Sequence, residues 1–98
     1  MKLYPVLLNI EGRLAVVVGG GEVALRKVLD LLDAGSRVKV VSPCMHADLE
    51  ETARENAATL RLERREYRDG DLEGAALVFA ATDSAVVNRT VFEEAGRR

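Results

Sequence analysis

The stretch Leu14-Ala15-Val16-Val17-Val18-Gly19-Gly20-Gly21-Glu22-Val23-Ala24 decides how this chain folds. Its first five residues are unbroken, apolar and mostly β-branched, the pattern of a strand buried on both faces in a parallel sheet. Three glycines follow at once. Beyond them Ala24, Val28, Leu31 and Leu32 fall at i, i+4, i+7 and i+8, which is one apolar stripe on a helix. Gly35 stands where that helix ends, because glycine adopts the left-handed conformation that closes a helix without steric cost.

Working outward, a short apolar run from Tyr4 to Ile10 precedes the strand and is separated from it by the turn Glu11-Gly12-Arg13. After the helix, Val38, Val40 and Val41 read as a second strand, with Arg37 and Lys39 alternating on its other face. Ser42 ends that strand and is predicted to cap a second helix, with Pro43 at its first position, where a missing N–H costs nothing. Met45, Leu49, Thr52 or Ala53, and Asn56 give this helix only a weak apolar face. The segment Leu60–Arg64 alternates and suits a sheet edge. Tyr67 through Gly74 reads as a polar loop, in which Asp69 and Asp71 flank Gly70 as turn residues rather than as a carboxylate pair. Leu77–Ala81 reads as another buried strand, and Asp83 or Ser84 as the cap of a last helix carrying Val87, Val91 and Ala95.

Alternation of strands and helices in this order predicts an α/β fold, a parallel sheet with helices on both faces and right-handed crossovers. The arrangement expected is a Rossmann-like half, with the third strand at one edge and Leu77–Ala81 on the far side of the first strand. Ligands then bind at the switch point between Leu14–Val18 and Leu77–Ala81.

Residues 1–98 make a single domain, and folding at this size removes only roughly 65% of the unfolded chain's surface. The chain therefore reads as incomplete. Fourteen Lys and Arg against 16 Asp and Glu leave a net charge of −2, with no electrostatic basis for capturing nucleic acid or an anionic membrane. No apolar stretch approaches the ~20 residues that span a bilayer, and the start lacks the apolar core of a signal peptide, so a cytoplasmic address is expected. One cysteine, Cys44, and one histidine, His46, exclude an internal disulfide and a four-ligand structural zinc site.

Gly19-x-Gly21-x-x-Ala24 fits a dinucleotide-binding fingerprint, and strand, turn and helix surround it in the required order. Gly19 permits the tight turn, Gly21 lets a pyrophosphate approach the backbone, and Ala24 lets the helix pack close to the strand. The N–H groups and partial positive charge at the helix start would hold the phosphates. One part of the fingerprint is missing. An NAD-binding unit normally offers Asp or Glu to a ribose at the end of its second strand, whereas this chain has Ser42-Pro43-Cys44. No arginine follows directly to clamp a 2′-phosphate, so the residues alone do not choose between NAD and NADP. The ribose falls to backbone or to Ser42.

Several motifs together resemble a known family. They are Tyr4-Pro5-Val6, Val17-Val18-Gly19-Gly20-Gly21-Glu22-Val23-Ala24-x-Arg26-Lys27, Leu31-Leu32-x-x-Gly35, Val40-Val41-x-Pro43, and Ala80-Ala81-Thr82-Asp83 followed by Val87-Asn88. The chain is similar over nearly its whole length to the N-terminal domain of siroheme synthase, the precorrin-2 dehydrogenase and sirohydrochlorin ferrochelatase group. The resemblance implies NAD-dependent oxidation of precorrin-2 to sirohydrochlorin and, in many members, insertion of ferrous iron. It implies that Gly19, Gly20, Gly21, Glu22 and Val23 contact the pyrophosphate and nearby sugar, that Pro43 and Cys44 lie along the adenosine, and that Thr82 and Asp83 line the cofactor cleft. The family's catalytic aspartate belongs to an Asn-x-x-Asp segment after the last helix. It is expected beyond Arg98, leaving no catalytic residue in this chain and making the isolated chain inactive. A homodimer is implied for the full-length protein.

Other residues carry plainer readings. Arg26 and Lys27 suit phosphate or carboxylate contacts about as well as a solvated helix face. The run Arg61-x-x-Arg64-Arg65-x-x-Arg68 could meet the substrate's carboxylates, but Glu63 and Glu66 interleave it and favour a solvated edge. Cys44 reads as a small free side chain rather than a reactive thiol, and His46 as a surface residue. The competing function, a non-catalytic NAD(H)-sensing module, should show an acid at the end of the second strand and lacks a reason for Arg26-Lys27 with Ala81-Thr82-Asp83.

Overall fold

A computed structural model describes residues 3, 5 and 7–97. Tyr4 and Val6 of the first apolar run, and Met1, Lys2 and Arg98, lie outside the described residues. The chain forms β1 (Leu14–Val18), α1 (Glu22–Asp33), β2 (Arg37–Val41), α2 (Ala47–Glu55), β3 (Leu60–Glu63), β4 (Leu77–Ala80) and α3 (Ala85–Arg97). The strands make one parallel sheet in the order β3-β2-β1-β4, with Val18 opposite both Val41 and Ala80. This is the predicted order, with β1 interior and β3 at an edge. The strands β3 and β4 are each one residue shorter than expected.

The side-chain alternation of β1 divides the core in two. Ala15 and Val17 face α1 and α2, packing with Ala24, Val28 and Leu31 of α1, Leu49 of α2, and Val38, Val40 and Leu60. Val16 and Val18 point to the other face, where they meet Leu72 and Val91, with Tyr67 and Val87 packed alongside. Four consecutive residues of β1 are thus fully buried, which is why its sequence is apolar throughout rather than alternating. The stripe on α1 is buried at the three positions Ala24, Val28 and Leu31. Gly35, at φ +83°, follows the helix and its N–H donates to the Leu32 carbonyl at 3.0 Å.

Two local expectations are corrected. Ser42 does not cap α2. Its N–H continues the sheet by donating to the Glu63 carbonyl at 3.1 Å, and the chain then bends through Pro43 and Cys44 before turning into the helix at Ala47. His46 is the cap, its Nδ1 accepting from the Asp48 N–H at 3.0 Å, so it too has a structural duty rather than being a plain surface residue. On α3, Ala95 is exposed and Glu94 takes the buried position instead, 1% accessible. The Tyr67 hydroxyl donates to Glu94 Oε1, and the Gly70 N–H donates to Oε2 at 3.0 Å. A glutamate is tolerated in this helix phase because the loop before β4 brings donors to it. Of the two caps considered for α3, Ser84 serves, its Oγ accepting from the Val87 N–H at 3.2 Å.

Candidate functional site

The glycine turn stands at the carboxyl end of β1 and is fastened on both sides. Gly19 donates to the Val41 carbonyl at 2.9 Å, and the Gly20 carbonyl accepts from the His46 N–H at 2.7 Å. On the β4 side the Ala81 N–H donates to the Val18 carbonyl at 2.8 Å. Each glycine has a different reason to lack a side chain. Gly19 has φ +131°, and a Cβ there would strike the Ala81 carbonyl. A Cβ on Gly20 would strike the Cys44 carbonyl. Gly20, the variable position of the fingerprint, is therefore as constrained as Gly19, which the motif did not indicate. At Gly21 a Cβ would meet nothing within 4 Å, so its space opens onto the cleft.

That cleft has a volume of about 860 Å³ and sits between the ends of β1, β2 and β4. All ten residues singled out from the sequence line it: Gly19, Gly20, Gly21, Glu22, Val23, Ser42, Pro43, Cys44, Thr82 and Asp83. Met45, His46, Glu66, Tyr67, Ser84 and Val87 also line it and carried no sequence signal for this position. Glu66 and Tyr67 arrive because β3 ends beside β2, so the loop leaving β3 passes the same opening. Gly21 is the N-cap of α1 and provides no side-chain cap, so the first N–H groups of the helix are left for whatever occupies the cleft. The lining holds three acids, Glu22, Glu66 and Asp83, and no lysine or arginine among the described residues.

Thr82 is committed to the loop itself. Its hydroxyl donates to Asn88 Oδ1 at 2.6 Å, and the Ser84 N–H donates to Thr82 Oγ1 at 3.2 Å. Arg26 and Lys27 lie outside the cleft: Arg26 is 4.0 Å from Glu22 on an exposed face, and the Lys27 ammonium stands 5.3 Å from the centre of the Phe79 ring. The arginine run is spent on separate acids. Arg61 pairs with Glu63 at 2.9 Å and Arg64 with Glu50 at 2.8 Å.

Arg65 does more than the solvated-edge reading allowed. It grips Asp71 with two hydrogen bonds, of 2.6 and 2.8 Å, while the Lys39 Nζ approaches the same carboxylate at 3.4 Å. Asp71 is buried at 4% accessibility, so it is a structural anchor rather than only a turn residue. Burial pushes its pKa up, but the Arg65 hydrogen bonds, the Arg68 N–H and the charges of Arg65 and Lys39 outweigh this and hold it at about 2. Arg65 is raised in turn, chiefly by its hydrogen bond to Asp71. This anchor and the Glu94 cluster hold down the segment from which Glu66 and Tyr67 face the cleft.

A parallel sheet with a glycine turn, an uncapped helix start and a cleft at its switch point defines a dinucleotide-binding domain. The NAD_binding_7 family model, which describes NAD(P)-binding domains, matches residues 6–98, and the chain belongs to this family. It is 47% identical over 98 residues to siroheme synthase of Pseudomonas aeruginosa strain UCBPP-PA14, covering 100% of this chain and 21% of that protein. Siroheme synthase of Pseudomonas fluorescens strain SBW25 is 41% identical over the same coverage. Among solved structures, SirC, a precorrin-2 dehydrogenase, superposes with a TM-score of 0.82 at 33% identity, over 92% of this chain and 44% of that one. The chain thus spans about a fifth of the siroheme synthases that it matches.

Proposed function

We propose that this chain is the cofactor-holding part of an NAD-dependent precorrin-2 dehydrogenase in siroheme biosynthesis, the full-length protein acting as a homodimer. The observation that carries the reading is the convergence of Gly19 to Val23, Ser42 to Cys44, and Thr82 with Asp83 on one cleft at the switch point. The similarity to siroheme synthases and to SirC supports the choice of substrate.

The residues fit a dinucleotide. Open space at Gly21 admits a pyrophosphate to the start of α1, whose N–H groups and dipole balance its charge. The bend at Ser42, Pro43 and Cys44 borders the adenosine half. NAD is favoured over NADP because three acids and no lysine or arginine line the cleft among the described residues, which leaves a 2′-phosphate without a partner. A nicotinamide cofactor held by these residues would supply the hydride acceptor for the oxidation. The chain's own contribution is to bind and orient it, which alone is worth several orders of magnitude in rate once a substrate is held opposite.

Calorimetry on the 98-residue chain tests the cofactor assignment. NAD binds more tightly than NADP, and Gly21→Val abolishes binding; undiminished affinity in that variant overturns the phosphate cradle. For the activity, the matching 98-residue stretch of the Pseudomonas aeruginosa siroheme synthase is replaced by this chain. The chimaera oxidises precorrin-2 with formation of NADH, whereas the isolated chain does not. A folded chimaera without turnover sinks the dehydrogenase reading.

A further inference from the structure

We infer that Asp83 is the acceptor for the hydroxyls of the ribose lying over the end of β4, the ribose adjoining the nicotinamide. This rests on the cofactor reading above. With the pyrophosphate at the start of α1 and the adenosine toward β2, the other ribose lies toward β4, on the opposite side of β1. Asp83 leaves the sheet there, three residues after β4 ends, as an exposed residue of the cleft lining.

Three observations single it out. First, the loop that bears it lies close to the glycine turn: its Ala81 carbonyl excludes a Cβ on Gly19. Second, the hydroxyls on either side are already occupied, that of Thr82 by Asn88 and that of Ser84 by the Val87 N–H. Asp83 itself makes no hydrogen bond or ion pair among the described residues. Third, Ser42 rather than an acid stands at the end of β2, and Asp83 is the lining acid that lies on the β4 side of β1. Of the other lining acids, Glu22 approaches Arg26 at 4.0 Å on the outside of α1, and Glu66 belongs to the wall beyond β3. Vicinal hydroxyls donating to an ionised carboxylate make charge-assisted bonds, stronger than those to a neutral acceptor.

The test measures affinities of the 98-residue chain and of Asp83→Asn for NAD⁺, NADH and ADP, with the amide signals of Gly19 to Gly21 reporting occupancy of the cleft. ADP contains the pyrophosphate and the adenosine but not the second ribose. The substitution is expected to weaken NAD⁺ and NADH alike, by about tenfold or more, the scale of a hydrogen bond to a charged group. ADP affinity stays within a factor of two, and Asp30→Asn, at an exposed position of α1 outside the cleft lining, changes none of the three. Unchanged NAD⁺ affinity overturns the assignment. So does tighter binding of all three ligands, which would make Asp83 only a repulsive rim charge, and so does a loss confined to NAD⁺, which would make it a partner of the positive ring. Equal weakening of ADP would assign the effect to the loop. If the unsubstituted chain binds none of the three and the glycine signals stay still, the cofactor reading falls as well.

Discussion

The carboxamide of Asn88 embraces Thr82 from both sides: Oδ1 accepts from the threonine hydroxyl at 2.6 Å, and Nδ2 donates to the threonine carbonyl at 3.1 Å. The loop after β4 is thereby tied to the first turns of α3, six residues along the chain. Both groups are partly buried, and removing the carboxamide takes one partner from the threonine hydroxyl, which keeps Ser84, and one from the threonine carbonyl. Asn88→Ala is expected to cost about 1–3 kcal/mol in urea unfolding, because the Thr82 hydroxyl and carbonyl lose partners together. Thr82→Ser, which keeps the hydroxyl, should cost less than half as much.

The glycines separate folding from binding. Gly20→Ala forces a methyl against the Cys44 carbonyl, and thermal unfolding should show a loss of about 1–3 kcal/mol, the usual scale of overpacking. Gly21 has φ −90° and ψ −160°, an extended conformation open to any residue, with empty space where its Cβ would be. Gly21→Val should therefore unfold within about 0.5 kcal/mol of the parent while losing nucleotide binding.

Asp71 makes stability depend on acid pH. Its folded pKa of about 2 lies below the ordinary 3.8, so its contribution is fully present above pH 4 and is lost as pH falls through 2. Up to about 2 kcal/mol of stability should vanish over that interval. Asp71→Asn should flatten this part of the stability profile in denaturant titrations at pH 2 to 5. A slope unchanged by the substitution would place the acid sensitivity elsewhere.

Tyr67→Phe removes a donor from the buried Glu94 carboxylate without changing the ring. Chemical denaturation should show a cost of about 1–3 kcal/mol. Because the ring keeps its packing against Val16, Val18, Leu72 and Val91, a larger loss would mean that the whole segment has shifted.

The strands and their order followed from local pattern: a run such as Leu14–Val18 admits one burial, and the glycine turn dictates which end of the sheet carries the cleft. The ten candidate positions converge on that cleft because each sits at a strand end or a helix start, and topology alone places such points together. What escaped was long-range. Whether Glu94 or Ala95 faces inward depends on donors from Tyr67 and Gly70, more than twenty residues away. Asp71 looks like a turn residue until Arg65 and Lys39 are placed beside it. The cap of α2 moved from Ser42 to His46 because Ser42 was already engaged by β3, a pairing invisible in the dipeptide Ser42-Pro43.

The strand β1 is a party wall, lending Ala15 and Val17 to one core and Val16 and Val18 to the other. Neither half of the molecule can come apart without stripping the wall that supports its neighbour. The consequence is a domain with no separable subunit of stability: hydrogen exchange at the amides of Val16 and Val17 should proceed only through global opening, with the same opening free energy, although their side chains belong to opposite sides of the protein.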